Sequence, residues 1–158
     1  MPRSSAGLLM FRIRNQRAEV FLAHPGGPFW RRKDAGAWSI PKGETTAGEE
    51  PLAAARREFE EETGMIPEGP FVDLGETKQA GGKTVKAWAF EGDGSPAIQS
   101  NAFSLEWPPK SGRVQQFPEV DRAEWFSLDE AEGRVHRGQA VFLDRLRAYL
   151  ASRPGPGA

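Results

Sequence analysis

Between Gly43 and Met65 the chain sets Gly43, Glu49, Arg57, Glu58, Glu61, Glu62 and Gly64 at fixed intervals, with Phe59 and Met65 in two bulky apolar positions. The segment, GETTAGEEPLAAARREFEEETGM, fits G-x5-E-x7-R-E-U-x-E-E-x-G-U without a mismatch, U being a bulky apolar residue. Pro51 suits a first helical turn, Leu52 to Glu62 contains neither Gly nor Pro, and Gly64 suits a left-handed cap. A helix over about residues 50 to 63 is therefore predicted. Winding at about 100° per residue puts Leu52, Ala55 and Phe59 on one apolar stripe and Glu58, Glu61 and Glu62 together beside it. Two such carboxylates about 5 Å apart repel by roughly 3 kcal/mol at an effective dielectric of about 20, and the C-terminal helix dipole adds to the penalty. A cation is expected there. Hard divalent ions such as Mg2+ and Mn2+ prefer clustered carboxylate and carbonyl oxygens and bridge readily to phosphates. Arg57, eight residues after Glu49 and four before Glu61, is placed to brace a carboxylate by charge-assisted hydrogen bonds.

A solvated acidic helix face is the alternative reading of a Glu-rich helix. Gly43 and Gly48 bracket a loop leading into the helix and Gly64 ends it, so the carboxylates sit on a loop-helix-loop unit instead. The complete pattern resembles the Nudix box. That resemblance implies a hydrolase of pyrophosphate linkages in nucleoside diphosphates joined to another group, using a divalent metal held by the carboxylates of the box. It implies Mg2+ (or Mn2+) as cofactor, with Glu58, Glu61, Glu62 and the backbone carbonyl of Lys42 or Gly43 as ligands. The proton of the attacking water is then taken by Glu61 or Glu119, with Arg57 in support.

Candidates outside the box follow from the same comparison. Trp38-Ser39-Ile40-Pro41-Lys42-Gly43 resembles the approach to the box in hydrolases of dinucleoside polyphosphates and diphosphoinositol polyphosphates, and the Lys42 ammonium is within reach of a phosphate. Gly82-Lys83-Thr84-Val85-Lys86 resembles a strand that directs Lys toward polyphosphate. Strand periodicity puts Thr84 and Lys86 on one side and Lys83 and Val85 on the other, so at most one of the two lysines points inward from the strand; Lys86 is favoured. Phe117 to Trp125 resembles the segment in which a Glu from outside the box joins the site, with Glu119 first and Glu124 second. In His24-Pro25-Gly26-Gly27-Pro28-Phe29-Trp30-Arg31-Arg32-Lys33, Phe29 or Trp30 is placed to stack a base while Arg31 or a neighbouring cation grips phosphate. The aromatics pinning a Pro/Gly loop to the core is the equal alternative. His24 and His136 lack the partner spacing of a zinc site or a triad and read as structural.

These groups need elements to hold them. Ala6 to Arg14 and Ala18 to His24 read as a hairpin around Asn15-Gln16-Arg17, and Trp38 to Ile40 as a short strand entering the box loop. Phe71 to Thr77 and Thr84 to Phe90 read as strands about a Gly81-Gly82 turn, followed by a strand at Ala123 to Phe126. Ser127 and Glu130 form a capping-box signature for a helix over Leu128 to Glu132, and Gln139 to Ala151 places Val141, Phe142, Leu146 and Leu150 on one face of another. Residues 91–96 and 108–112 read as loops. The resemblance implies an α/β (α+β) fold, a mixed β-sheet sandwich flanked by helices, with one domain over residues 1–152 and a disordered tail at 153–158.

At 158 residues, with 38% hydrophobic content, five Trp and ten Phe, the chain has material for one sizeable core. A net charge of −1 offers no general attraction to nucleic acid or membrane, and the partner expected is a small nucleotide, with the protein a monomer or homodimer. The absence of Cys excludes disulfides, thiol catalysis and Cys-based zinc. The start MPRSSAGLLMF lacks the apolar run of a signal peptide or membrane span, so a cytoplasmic location is expected.

The leading expectation is hydrolysis of a dinucleoside polyphosphate such as diadenosine tetraphosphate. That branch tends to stack adenines on Tyr, whereas the only Tyr here, Tyr149, lies on the last helix, so Phe29, Trp30, Phe103 or Trp107 would substitute. One alternative is a house-cleaning nucleoside triphosphate pyrophosphohydrolase. Another is a non-enzymatic sensor or scaffold, against which the intact box argues. A phosphoinositol substrate calls for a denser basic surface than a charge of −1 suggests.

Overall fold

A computed structural model of the chain describes residues 4–79, 82–95 and 101–153. Strands β1 (Ser4–Arg14) and β2 (Arg17–Pro25) form the expected hairpin. Its turn is the two-residue Asn15-Gln16, both at positive φ (51° and 66°), and Arg17 already pairs with Arg14. Two left-handed residues match the right-handed twist of the strands they join. Strand β3 (Lys42–Glu44) leads through the loop into helix α1 (Pro51–Thr63), which has Pro in its first turn and Gly64 at φ 75° as its left-handed cap. Then follow β4 (Val72–Lys78), β5 (Thr84–Glu91), β6 (Ala102–Glu106), β7 (Val114–Pro118) and β8 (Val120–Ser127). Helix α2 (Leu128–Arg134), a 3-10 turn (Arg137–Gln139) and helix α3 (Ala140–Ser152) close the described chain.

The main sheet has the order β4-β5-β1-β2-β8, with β1 and β5 parallel and the other pairs antiparallel. Buried on both faces, β1 runs Ser5 to Phe11 without an exposed residue. Leu8 and Met10 turn toward Ala54, Ala55 and Phe59 of α1, while Leu9 and Phe11 turn toward Phe142, Leu143 and Leu146 of α3. The result is the mixed sheet between helical layers that the sequence comparison implied. Among the described residues no helix is long and apolar enough to cross a membrane.

What positions the box is a division of labour along one edge of β1. β2 pairs with its C-terminal half, from Phe11↔Val20 to Arg14↔Arg17, and β3 takes the N-terminal half, with Ala6↔Gly43 and Gly7↔Lys42. Gly7 is needed there, since a β-carbon would collide with Lys42, the Pro41 carbonyl and Ile40. Where β2 and β3 part, the sheet opens toward α1 and β8.

Three expectations change. Trp38 to Ile40 is not a strand: Ser39 makes a single bridge to Ala23 and Trp38 one to Val135, and the paired strand begins after Pro41. Pro41 has no N–H for a ladder, and the three residues before it are shared among different partners. The hairpin β6–β7, joined by the expected loop at 108–112, is an added element: β6 alternates half-buried Phe103 and Leu105 with exposed neighbours, whereas β7 exposes Val114, Gln115 and Gln116 in a row. Finally, β8 begins at Val120 and not at Ala123. The capping box of Ser127 and Glu130 forms as expected. Gly81 of the expected glycine turn and residues 154–158 of the expected tail lie outside the described residues.

Candidate active site

The last turns of α1 face β3, and the closest approach is between Glu58 and Gly43. A β-carbon on Gly43 would occupy the position of the Glu58 carboxyl group. A side chain at position 43 would thus displace the Glu58 carboxyl group, and the backbone angle there is not left-handed.

Arg57 organises the outer flank. Its Nε and Nη2 donate to the two oxygens of Glu49 at 2.9 and 3.0 Å, its Nη1 donates to Glu58 at 2.9 Å, and Glu61 lies at 3.4 Å. Thr46 adds its backbone N–H and hydroxyl to Glu49 at 3.2 and 2.9 Å. Held by Arg57 first and Thr46 second, Glu49 titrates at about 2, and the same bonds raise Arg57 further above its ordinary range. A forked guanidinium that spans two carboxylates fixes Glu58 in direction as well as in charge.

The inner flank is the more strained electrostatically. Burial, then the charges of Glu58 and Glu119, push Glu62 up to about 8, against the opposing pull of Lys42, whose backbone also bonds to it. Glu58 is likewise raised, by burial first and then by Glu61 and Glu119, with Arg57 acting the other way. Burial and the nearby Lys83 lower Lys42, while Glu62, Glu44 and Glu58 oppose the shift. A pocket of about 200 Å³ opens among Lys42, Glu62, Glu119, Ile40, Pro25 and Ala23.

Among the described residues no group of three Asp, Glu or His side chains is arranged as a ready metal cluster. The donor chemistry nevertheless suits a hard divalent cation. Burial first, and then neighbouring carboxylate charge, raise the proton affinity of Glu58 and Glu62, and with Glu119 they present only oxygen ligands. Carboxylates whose proton affinity is raised by burial and by neighbouring negative charge are ones that a cation would help to ionise.

The other sequence candidates divide. Glu119 lines the pocket with Glu62 and Lys42. Glu61 stands on the outer flank, where it borders a shallow depression with Arg57 and Glu60. Lys83 is close enough to Lys42 to shift it, whereas Lys86 pairs with Asp73 at 3.6 Å and lies 5.2 Å over Trp88. Arg31 is exposed, as are Phe29 (59%) and Trp30 (38%). Phe29 meets Trp107 of the β6–β7 hairpin edge-on at 5.1 Å, and Lys33 lies 5.2 Å over Trp30.

One supporting residue carries no local signal in the sequence. Gln139, 1% exposed, accepts from the Ile40 N–H at 3.0 Å and donates to the Ser39 hydroxyl at 3.0 Å, fixing the approach to the box from 99 residues away.

The chain is similar to known proteins in sequence and in fold. An octanoyltransferase of Myxococcus xanthus is 30% identical over 136 residues, covering 85% of this chain and 33% of that protein. An RNA pyrophosphohydrolase of Roseobacter denitrificans is 41% identical over 56 residues, covering 35% of this chain and 32% of that protein. This chain thus spans about a third of the length of these curated relatives. In fold it is similar to an Ap4A hydrolase of C. elegans in a binary complex, with a TM-score of 0.69 at 22% identity over 96% of this chain and 99% of that one. The NUDIX domain of Shewanella oneidensis NrtR, complexed with ADP ribose, gives 0.63 at 16% identity over 95% of this chain and 89% of that one. The sequence model of the NUDIX domain matches residues 1–146, a span that takes in the whole sheet, the carboxylate helix and half of α3, and the chain belongs to that family.

Proposed function

We propose that this chain is a metal-dependent pyrophosphohydrolase of nucleoside diphosphate derivatives, with a dinucleoside polyphosphate such as diadenosine tetraphosphate as its substrate. The observation that carries the reading is the convergence of Glu62 and Glu119 with Lys42 on one pocket, beside Glu58, whose charge acts on Glu62. Glu58, Glu61 and Glu62, with the Lys42 or Gly43 carbonyl, would hold Mg2+ or Mn2+, which when bound neutralises pyrophosphate oxygens and orients water for in-line attack. Lys42 and Lys83 add positive charge where the polyphosphate would lie, with Lys86 a reserve behind its Asp73 pair. Of the two candidate bases, Glu119 borders the pocket and Glu61 does not, which favours Glu119 for accepting the water proton. Arg57 fixes Glu58 without touching substrate.

The dinucleoside assignment draws on the exposed aromatics. Trp30, Phe29 and Trp107 form an accessible aromatic corner with Arg31 and Lys33 beside it, suited to a base and its phosphate. The fold likeness to an Ap4A hydrolase along nearly its whole length supports the same reading. The protein is proposed to act in the cytoplasm on a small nucleotide, as a monomer or homodimer.

Chromatographic product analysis tests this, with diadenosine tetraphosphate, the nucleoside triphosphates and ADP-ribose in Mg2+ or Mn2+, alongside Glu62→Gln. Asymmetric cleavage to a nucleoside triphosphate and monophosphate, abolished in the variant, is the expected result. Release of pyrophosphate from triphosphates would replace it with the house-cleaning assignment. Binding without turnover of any compound would leave a nucleotide sensor.

A further inference from the structure

His24 ends the pairing of β2 with β8 before a change of register, and its ring is wholly buried (0% exposed) against the edge of Trp38, 5.1 Å between centroids. Both ring nitrogens are engaged. Nε2 lies 2.6 Å from the Lys33 carbonyl, and Nδ1 lies 2.8 Å from Oδ1 of Asp121. A carbonyl only accepts, so Nε2 carries a proton and donates it. Nδ1 faces a carboxylate oxygen of Asp121, which completes the second polar contact of the ring.

The backbone is shaped to make this contact. His24 pairs with Arg122 but Pro25 pairs with Val120, so Asp121 is the extra residue of a β-bulge. Bulges re-aim side chains and are frequent beside active sites. Here the bulge turns Asp121 onto His24 and advances the chain by one residue, which puts the Glu119 carbonyl opposite the Gly26 N–H at 2.9 Å. Gly26 has no room for a β-carbon, which would meet the Pro118 carbonyl. The two arms of one imidazole therefore reach the segment carrying Glu119 and the far end of the loop carrying Phe29, Trp30 and Arg31.

We propose that His24 is a positioning residue that fixes Glu119 through Asp121 and, independently, the aromatic and basic loop through the Lys33 carbonyl. The inference rests on the hydrolase reading for its kinetic consequence and on the two hydrogen bonds for its structural one. The Asn amide reproduces the Nδ1 position and the Gln amide the Nε2 position, so the arms can be cut separately. His24→Asn keeps the Asp121 contact and frees the loop: KM rises roughly 10-fold or more and kcat is held. His24→Gln keeps the Lys33 contact and frees the strand: kcat falls roughly 10- to 100-fold and KM is held. Asp121→Asn, which retains a hydrogen-bonding group for Nδ1, stays near wild type, and Asp121→Ala follows His24→Gln.

Hydrogen exchange on the same purified proteins gives a readout that needs no turnover. His24→Asn should speed exchange in residues 26–36, and His24→Gln in residues 119–123. If the wild-type chain hydrolyses nothing but exchange divides this way, the hydrolase reading fails while the two-armed positioning stands. A purely structural histidine would give lower melting temperatures in both variants with kcat and KM unchanged and exchange raised uniformly, and that result overturns the proposal.

Discussion

The carboxyl group of Glu58 lies over the α-carbon of Gly43, in the space that a side chain at position 43 would fill. Gly43→Ala must therefore move Glu58, the carboxylate that Arg57 aims at the site. Because the displaced atoms are the end of a flexible side chain, the fold should survive. The expected result is a fall in kcat of roughly 100-fold, since misplacement by about 1 Å carries a penalty of that size. Steady-state kinetics with a parallel thermal melt checks it; an active Gly43→Ala enzyme would show that Glu58 is not needed where it stands.

Arg57 reaches Glu49 with two nitrogens and Glu58 with a third, a geometry that a single ammonium does not reproduce. Arg57→Lys should therefore resemble Arg57→Ala more than wild type, with metal affinity or activity reduced roughly 10- to 100-fold. Mn2+ titration followed by electron paramagnetic resonance measures the affinity directly. Full binding by Arg57→Lys would reduce Arg57 to a point charge.

Glu62 gives a pH prediction with a definite sign. Its carboxyl titrates near 4.5 in the unfolded chain and at about 8 in the folded one, so between these values the folded state keeps a proton that the unfolded state has lost. Stability then falls as pH rises through that window. The metal-free protein should melt at progressively lower temperature from about pH 4.5 to about pH 8, and Glu62→Gln should flatten the decline. Mg2+ should restore most stability at the alkaline end, where the site is ionised. A wild-type profile parallel to that of Glu62→Gln sinks the prediction.

How far the sequence revealed all this depended on distance along the chain. Helix α1 could be read with both its ends because Pro51, Gly64 and the carboxylate spacing are local signals. The alternation of Lys83 and Lys86 could be read too, but not what each would meet. The sheet pairs β4 with β5, so Lys86 finds Asp73, while Lys83 comes close to Lys42 from outside the strand. Strand periodicity says which side a residue takes and nothing about the charge waiting there. The β6–β7 hairpin is hard to read because only one of its strands carries a pattern: Phe103 and Leu105 alternate in β6, but Val114, Gln115 and Gln116 of β7 are exposed in a row. In the sequence Asp121 is one of several charges between Glu119 and Glu124, and only the pairing of β2 with β8 makes it the residue that bulges toward His24.

Gln139 shows the same limit and gives the last prediction. Its side-chain carbonyl satisfies the Ile40 N–H in a fully buried bond, and its amide donates to Ser39 in a part-buried one. Gln139→Ala leaves the Ile40 N–H buried without that partner, and an orphaned donor of this kind costs about 1–3 kcal/mol. Urea denaturation should show that loss as a lower midpoint with an unchanged slope. Ser39→Ala should cost less, because the Gln139 bond to Ile40 survives it. The double variant should fall short of the sum of the two, since both remove the same Ser39–Gln139 contact. Strict additivity would mean that Gln139 acts on Ile40 alone. Because Ile40 and Lys42 both line the pocket, Gln139→Ala should also lower kcat well below the unfolding range. A variant that is destabilised but fully active would confine Gln139 to holding the fold.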